Sequence, residues 1–169
     1  MTFTPGPEAE ELRAVVRGFL EKRSGEADVR RLMDTETGHD PSVWRQAATE
    51  LGLMGLLIPE HWGGSGASLV ELGVVFEEMG RALFTAPFFG TTALAANALV
   101  CLDDEAASEE YLPGIADGTT VATATWGTTH PLTGAITAER APGGDGWRLN
   151  GSAEVVADAL AADLLLVAA

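Results

Sequence analysis

Near Asp117-Gly118 the spacing of apolar residues changes, and that change limits what the chain can fold into. Before it, apolar residues recur at three and four positions, the repeat of a helix with one buried side. After it, residues 119–125 and 135–139 are rich in threonine, valine and alanine and are separated by glycine clusters, the pattern of short strands. An α+β chain is therefore expected, with an all-α domain over 1–117 and the start of an antiparallel β-domain over 118–169. Gly143-Gly-Asp-Gly146 reads as a turn cluster, and Asn150-Gly151 as a hairpin turn leading into strands at 152–156 and 163–167. A hairpin with one further strand is marginal as a free unit, so the β part reads as incomplete.

Five helices are legible in the first part. Leu12, Val15, Val16, Phe19 and Leu20 form one stripe between Glu8 and Lys22. Asp40-Pro41 is a capped helix entry, with Gly52 as its stop. Trp44, on the apolar side of that helix, reads as core. Ser68 and Glu71 have capping-box spacing ahead of Leu69, Leu72, Val75, Phe76 and Met79. A further helix is expected from Phe88 or Thr91 to Val100, and a short one from Asp104 to Leu112 that Pro113 and Gly114 end. The run from Leu53 to Gly66 carries too many glycines for a helix and reads as an extended segment packed over the others.

The formal net charge is −15, and Lys22 is the only lysine. So negative a surface disfavours nucleic acid and anionic membranes through long-range repulsion. It leaves open a phosphorylated ligand met by backbone amides. Apolar runs at 53–59 and 164–169 are far too short to span a membrane. Met1 to Pro7 has no export pattern, and the lone Cys101 suits a reducing compartment, so a cytoplasmic location is expected.

Side-chain chemistry is sparse. His39, His61 and His130 lack metal-ligand spacing, and the chain has no Cys-x-x-Cys, phosphate loop or Gly-x-Gly-x-x-Gly, so no metal site is expected. His61 and Trp62 read as a structural loop. Glu77-Glu78 and Glu109-Glu110 sit on helices, where sequence neighbours face different ways and form no acid/base dyad. A strand ending at Thr125-Trp126 offers amides and hydroxyls to a polar heterocycle or thioester, with Trp126 as a stacking surface.

In order along the chain stand Leu51-Gly-Leu-Met-Gly-Leu-Leu-Ile-Pro-Glu-His-Trp-Gly-Gly-Ser-Gly66, Glu77-Glu-Met-Gly-Arg81, Tyr111-Leu-Pro-Gly-Ile-Ala-Asp-Gly118 and Gly146-Trp-Arg-Leu-Asn-Gly151. Together these resemble the amino-terminal half of the acyl-CoA dehydrogenase family. The resemblance implies a helical domain, a middle β-domain and a carboxyl-terminal helical bundle in a homo- or hetero-oligomer. It also implies FAD, 2,3-dehydrogenation of a fatty or steroid acyl-CoA thioester, and electrons passed to an electron-transferring flavoprotein. The family's catalytic glutamate usually lies in the bundle, so no catalytic residue is assigned here. Helices around 71–81 and 88–99 are implied to line the acyl pocket, where Phe84, Phe88 and Phe89 read chiefly as core.

By the same resemblance the cofactor-facing positions are Thr123, Thr125, Trp126, Val155 and Ala157. Relatives carry Thr-Glu-Pro at the end of the first strand; here only Thr125 matches. Relatives carry Trp-Ile-Thr or Trp-Ile-Ser after the Asn-Gly turn; here the residues are Val155, Val156 and Ala157. Indole face and hydroxyl are both missing. Three readings stay open: a flavin-binding dehydrogenase relying on main-chain and partner contacts, a degenerate subunit paired with a complete sister chain, or an acidic helical interaction module without redox work.

Overall fold

Helices α1 (Pro7–Arg23) and α4 (Leu69–Arg81) pack side by side and build one half of the core of this computed structural model, which describes residues 6–125, 136–144 and 146–169. Val16, Phe19 and Leu20 of α1 bury against Leu72, Val75 and Met79 of α4. The capping box is formed as the spacing predicts: Ser68 Oγ accepts from the Val70 amide, and Glu71 accepts from the Ser68 amide at 2.9 Å. Helix α3 (Pro41–Leu51) starts on the Asp40 cap and stops at Gly52, which is left-handed. Trp44 is core, and its indole N–H donates to the Gly118 carbonyl at 3.0 Å.

Helix α2 (Glu26–Met33) is an addition to the sequence reading. Its eight residues bury only Val29 and Leu32, too few for a legible stripe.

The 53–66 segment is not extended. It coils into 3₁₀ turns at Leu53–Gly55 and Glu60–Trp62, and Leu53, Met54, Leu56 and Ile58 are buried. Backbone bonds within the segment explain the compactness: Ser65 donates to Gly55 O and Gly66 to Ile58 O. Gly64 makes this closure possible, since a Cβ there would lie 1.9 Å from the Ile58 carbonyl oxygen.

Two further corrections concern helices. The expected helix after Pro87 opens as a π-helix, Phe89–Ala96, before continuing as α5 (Asn97–Leu102). Helix α6 (Glu105–Ala116) runs through Pro113 instead of ending there. The proline sits in the last turn, where the carbonyl it cannot bond to, four residues earlier, belongs to exposed Glu109. Ile58, Ala95, Leu99, Leu112 and Ile115 form the second core cluster, which Ala122 joins from the β part.

Strand β1 (Ala122–Thr125) is wholly buried and pairs in parallel with β4 (Leu164–Val167), with Thr123 opposite Leu165 and Thr125 opposite Val167. Strands β2 (Ile136–Arg140) and β3 (Trp147–Gly151) form the antiparallel part, with Ile136 opposite Gly151. Asn150-Gly151 therefore closes β3 and is not the hairpin turn, and no strand follows at 152–156. The reversal falls at the other glycine cluster, where Gly143, Gly144 and Gly146 have φ of 110°, 89° and 89° and the Ala141 amide donates to Gly146 O. Three left-handed glycines take a turn more readily than the single Gly151. Among the described residues no helix is long and apolar enough to cross a membrane.

Candidate functional site

Alternation along β1 places Thr123 and Thr125 on one face and Ala122 and Ala124 on the other. The alanines face the helices, and there Thr91 of the π-helix serves the strand edge. Its hydroxyl donates to Ala122 O at 2.9 Å and accepts from the Ala122 amide at 3.2 Å. Thr123 is fully buried, and its hydroxyl donates to the Ala157 carbonyl at 2.8 Å. The next residue, Asp158, accepts from the Gly90 amide through Oδ2 at 2.9 Å. Asp163 completes the join, accepting from the Val121 amide at 3.0 Å.

The structure thus brings Thr123 and Ala157 together, with Thr125 further along the same strand. Val155 is set apart, 80% exposed. Trp126 and His130 lie outside the described residues. Sequence reading missed Gly90, Thr91 and Asp158, whose hydrogen bonds join the π-helix to this edge. Only the Gly-Thr-Thr triplet at 90–92 marks the place in sequence, and nothing local pairs it with residue 158.

These positions are a poor fit to the side-chain contacts a flavin implies. A threonine has one O–H to donate, and that of Thr123 goes to the protein's own carbonyl. Ala157 has no hydroxyl, and Val155 has no ring. Thr125, 7% exposed, borders a 720 Å³ cavity with Leu102, Tyr111, Leu165 and Val167, largely apolar in lining.

Glu77 and Glu78 of α4 are both engaged by arginines of the α1–α4 contact. Glu78 is 1% exposed and takes hydrogen bonds from Arg13, Arg17 and Arg81. The hydrogen bonds from Arg17, with those from Arg81 and Arg13, hold its carboxyl down at about 2 against the opposing effect of burial. Such a group is a weak proton acceptor. Glu77 points outward to Arg13 at 2.7 Å. His61 lies against Trp62, ring centroids 4.1 Å apart and planes tilted by 50°, beside a 620 Å³ surface cavity that Pro113 and Asp117 also line. No group of three or more His, Cys, Asp or Glu able to hold a metal occurs among the described residues.

Comparison with known proteins matches residues 6–119 to the family described as acyl-CoA dehydrogenase, N-terminal domain. The acyl-CoA dehydrogenase IpdE2 of Mycolicibacterium smegmatis is 40% identical over 114 residues, which cover 68% of this chain and 36% of that protein. Among solved structures, a variant of the Tcur3481–Tcur3483 steroid ACAD superposes with a TM-score of 0.83 at 32% identity, covering 98% of this chain and 45% of that one. The ChsE4–ChsE5 complex of Mycobacterium tuberculosis follows with a TM-score of 0.76 at 25% identity, covering 89% and 40%. An acyl-CoA dehydrogenase complexed with FAD from Bacillus anthracis shares the fold at 24% identity, with a TM-score of 0.84 and coverage of 98% and 29%. The chain thus spans less than half the length of these proteins. By the family match, which takes in its whole helical part, the chain belongs to the acyl-CoA dehydrogenase family and carries its N-terminal domain.

Proposed function

We propose that this chain belongs to a subunit of a heteromeric acyl-CoA dehydrogenase whose related sister chain holds the FAD and the catalytic base. The carrying observation is the spent Thr123 hydroxyl, 2.8 Å from the carbonyl of Ala157, a residue that has no hydroxyl of its own to offer. In this reading the chain supplies scaffold and one wall of the acyl pocket, formed by the helices at 71–81 and 88–99. Likeness to IpdE2, to one half of a two-chain ChsE4–ChsE5 complex and to a steroid ACAD supports it. The acyl group would then be bulky and steroid-derived, like that implied by the name of the steroid ACAD it resembles. The assembly would work in the cytoplasm and pass electrons to an electron-transferring flavoprotein. We place the boundary between the helical and β domains at 117/118.

A second reading keeps the flavin on this chain, held by main-chain amides, Thr125 and the segment that includes Trp126. The FAD-bound relative of the same fold favours it.

Co-expression with a related acyl-CoA dehydrogenase gene from the same genome, followed by purification, flavin absorbance and subunit masses, separates the two. Flavin present only when both chains co-purify supports the partner-subunit reading. Flavin on this chain alone, bleached by an acyl-CoA, supports the second and sinks the first.

A further inference from the structure

The turn at 157–161 is fastened to the rest of the chain by two hydrogen bonds from different elements. Gly90 of the π-helix donates its amide to Asp158 Oδ2 at 2.9 Å, and Thr123 of β1 donates its hydroxyl to Ala157 O at 2.8 Å. We infer that Asp158 is a positioning residue, an internal latch that, with Thr123, seats this turn against the helical part without a bound cofactor. The inference rests on the proposed function only in taking this edge to be the flavin-facing one.

Three observations converge on the same few ångströms. Asp158 has φ of 56°, a left-handed conformation that is strained for most L-residues and that aspartate and asparagine adopt with least penalty. Leaving that conformation would carry the carboxylate away from the Gly90 amide. Gly90 is itself buried, so its N–H would then lack a partner. The approach is also close: a Cβ on Gly90 would lie 2.8 Å from both Asp158 Oδ2 and Thr123 Oγ1. Only glycine lets helix, strand and turn meet there.

Electrostatics adds a direction. Gly90 is the second residue of the eight-residue π-helix, and its amide has no earlier carbonyl within the helix to bond. Negative charge is favoured at such an end. Asp158 supplies that charge from within the chain, so the amide is taken before any external anion or carbonyl arrives. An edge preorganised in this way needs no cofactor to hold its shape.

The test is amide exchange by NMR at Gly90 and across 155–161. It is run on the 169-residue chain with and without added FAD, with α4 amides as the control for global folding. The wild-type Gly90 amide is expected to be protected without FAD and unchanged by it. Asp158→Ala should exchange at least about tenfold faster at Gly90 while α4 stays protected. Asp158→Asn, which keeps an oxygen acceptor and tolerates the left-handed backbone, should stay within about threefold of wild type. Thr123→Val is the second variant and should speed exchange across 155–161 more than at Gly90. Equal Gly90 rates in wild type and Asp158→Ala, or protection that arises only once FAD is added, overturns the latch. Tight flavin binding by the wild-type chain alone, with Gly90 already protected, overturns the partner-subunit reading and leaves the latch standing.

Discussion

Arg17 grips Glu78 at two points, Nε 2.9 Å from Oε2 and Nη2 2.7 Å from Oε1, across the α1–α4 contact. Arg13 and Arg81 add one bond each to a carboxylate that is 1% exposed. Arg17 and Arg81 reach solvent and Arg13 keeps its pairs with Glu10 and Glu77, so removing the carboxylate leaves no unpaired buried charge, and the cost is that of lost charged hydrogen bonds. Glu78→Gln is expected to destabilise by about 1–3 kcal/mol in urea denaturation. Because the folded carboxyl is held at about 2, below the usual 4.5, this contribution is fully present above about pH 4.5 and is lost as pH falls toward 2. The difference between wild type and Glu78→Gln should therefore narrow across that window. A constant difference from pH 7 to pH 3 would show that the carboxylate charge is not the cause.

Two glycines should respond oppositely to alanine. At Gly64 a Cβ would stand 1.9 Å from Ile58 O and 2.5 Å from Gly55 O, both backbone atoms. Gly64→Ala should open the 53–66 coil and cost at least about 3 kcal/mol. Gly73 lies on the exposed side of α4, and a methyl group there would meet nothing within 4 Å, so Gly73→Ala should stabilise by about 0.5–1 kcal/mol. Thermal melts of the two variants check both signs.

Trp44 ties α3 to the turn after α6 through its bond to Gly118 O. Trp44→Phe keeps most of the apolar contact but leaves a buried carbonyl without that donor. A loss of about 1–3 kcal/mol is expected by chemical denaturation. A change below a few tenths would mean that water takes over the bond.

Helix α4 ends in a Schellman turn: the Phe84 amide donates to Met79 O at 2.9 Å and the Leu83 amide to Gly80 O at 3.2 Å. Leu83 fills the left-handed position with φ of 50°, and its side chain is exposed. Leu83→Gly should raise stability by up to about 1 kcal/mol, read as a higher Tm. A lower Tm would show that the leucine side chain makes contacts worth more than its backbone strain.

The sequence by itself determined the elements whose signals are local. The Asp40 and Ser68 caps, the α1 and α4 stripes, Trp44 as core and the change of period near Asp117 all depend on residues a few positions apart. The four motifs that carry the family resemblance are likewise contiguous, so membership was legible before any fold. Only the tertiary structure decided what depends on distant partners. The 53–66 coil closes on its own carbonyls, the β2–β3 reversal falls at Gly143–Gly146 and not at Asn150-Gly151, and β4 pairs in parallel with β1. The candidate site belongs with these. Thr123 was named from its neighbours in sequence, but the Ala157 carbonyl that accepts its hydrogen bond lies 34 residues away and the Gly90–Asp158 bond spans 68. Hydrogen bonds between such separated groups depend on where packing brings the backbone, and no local pattern of residue types encodes that.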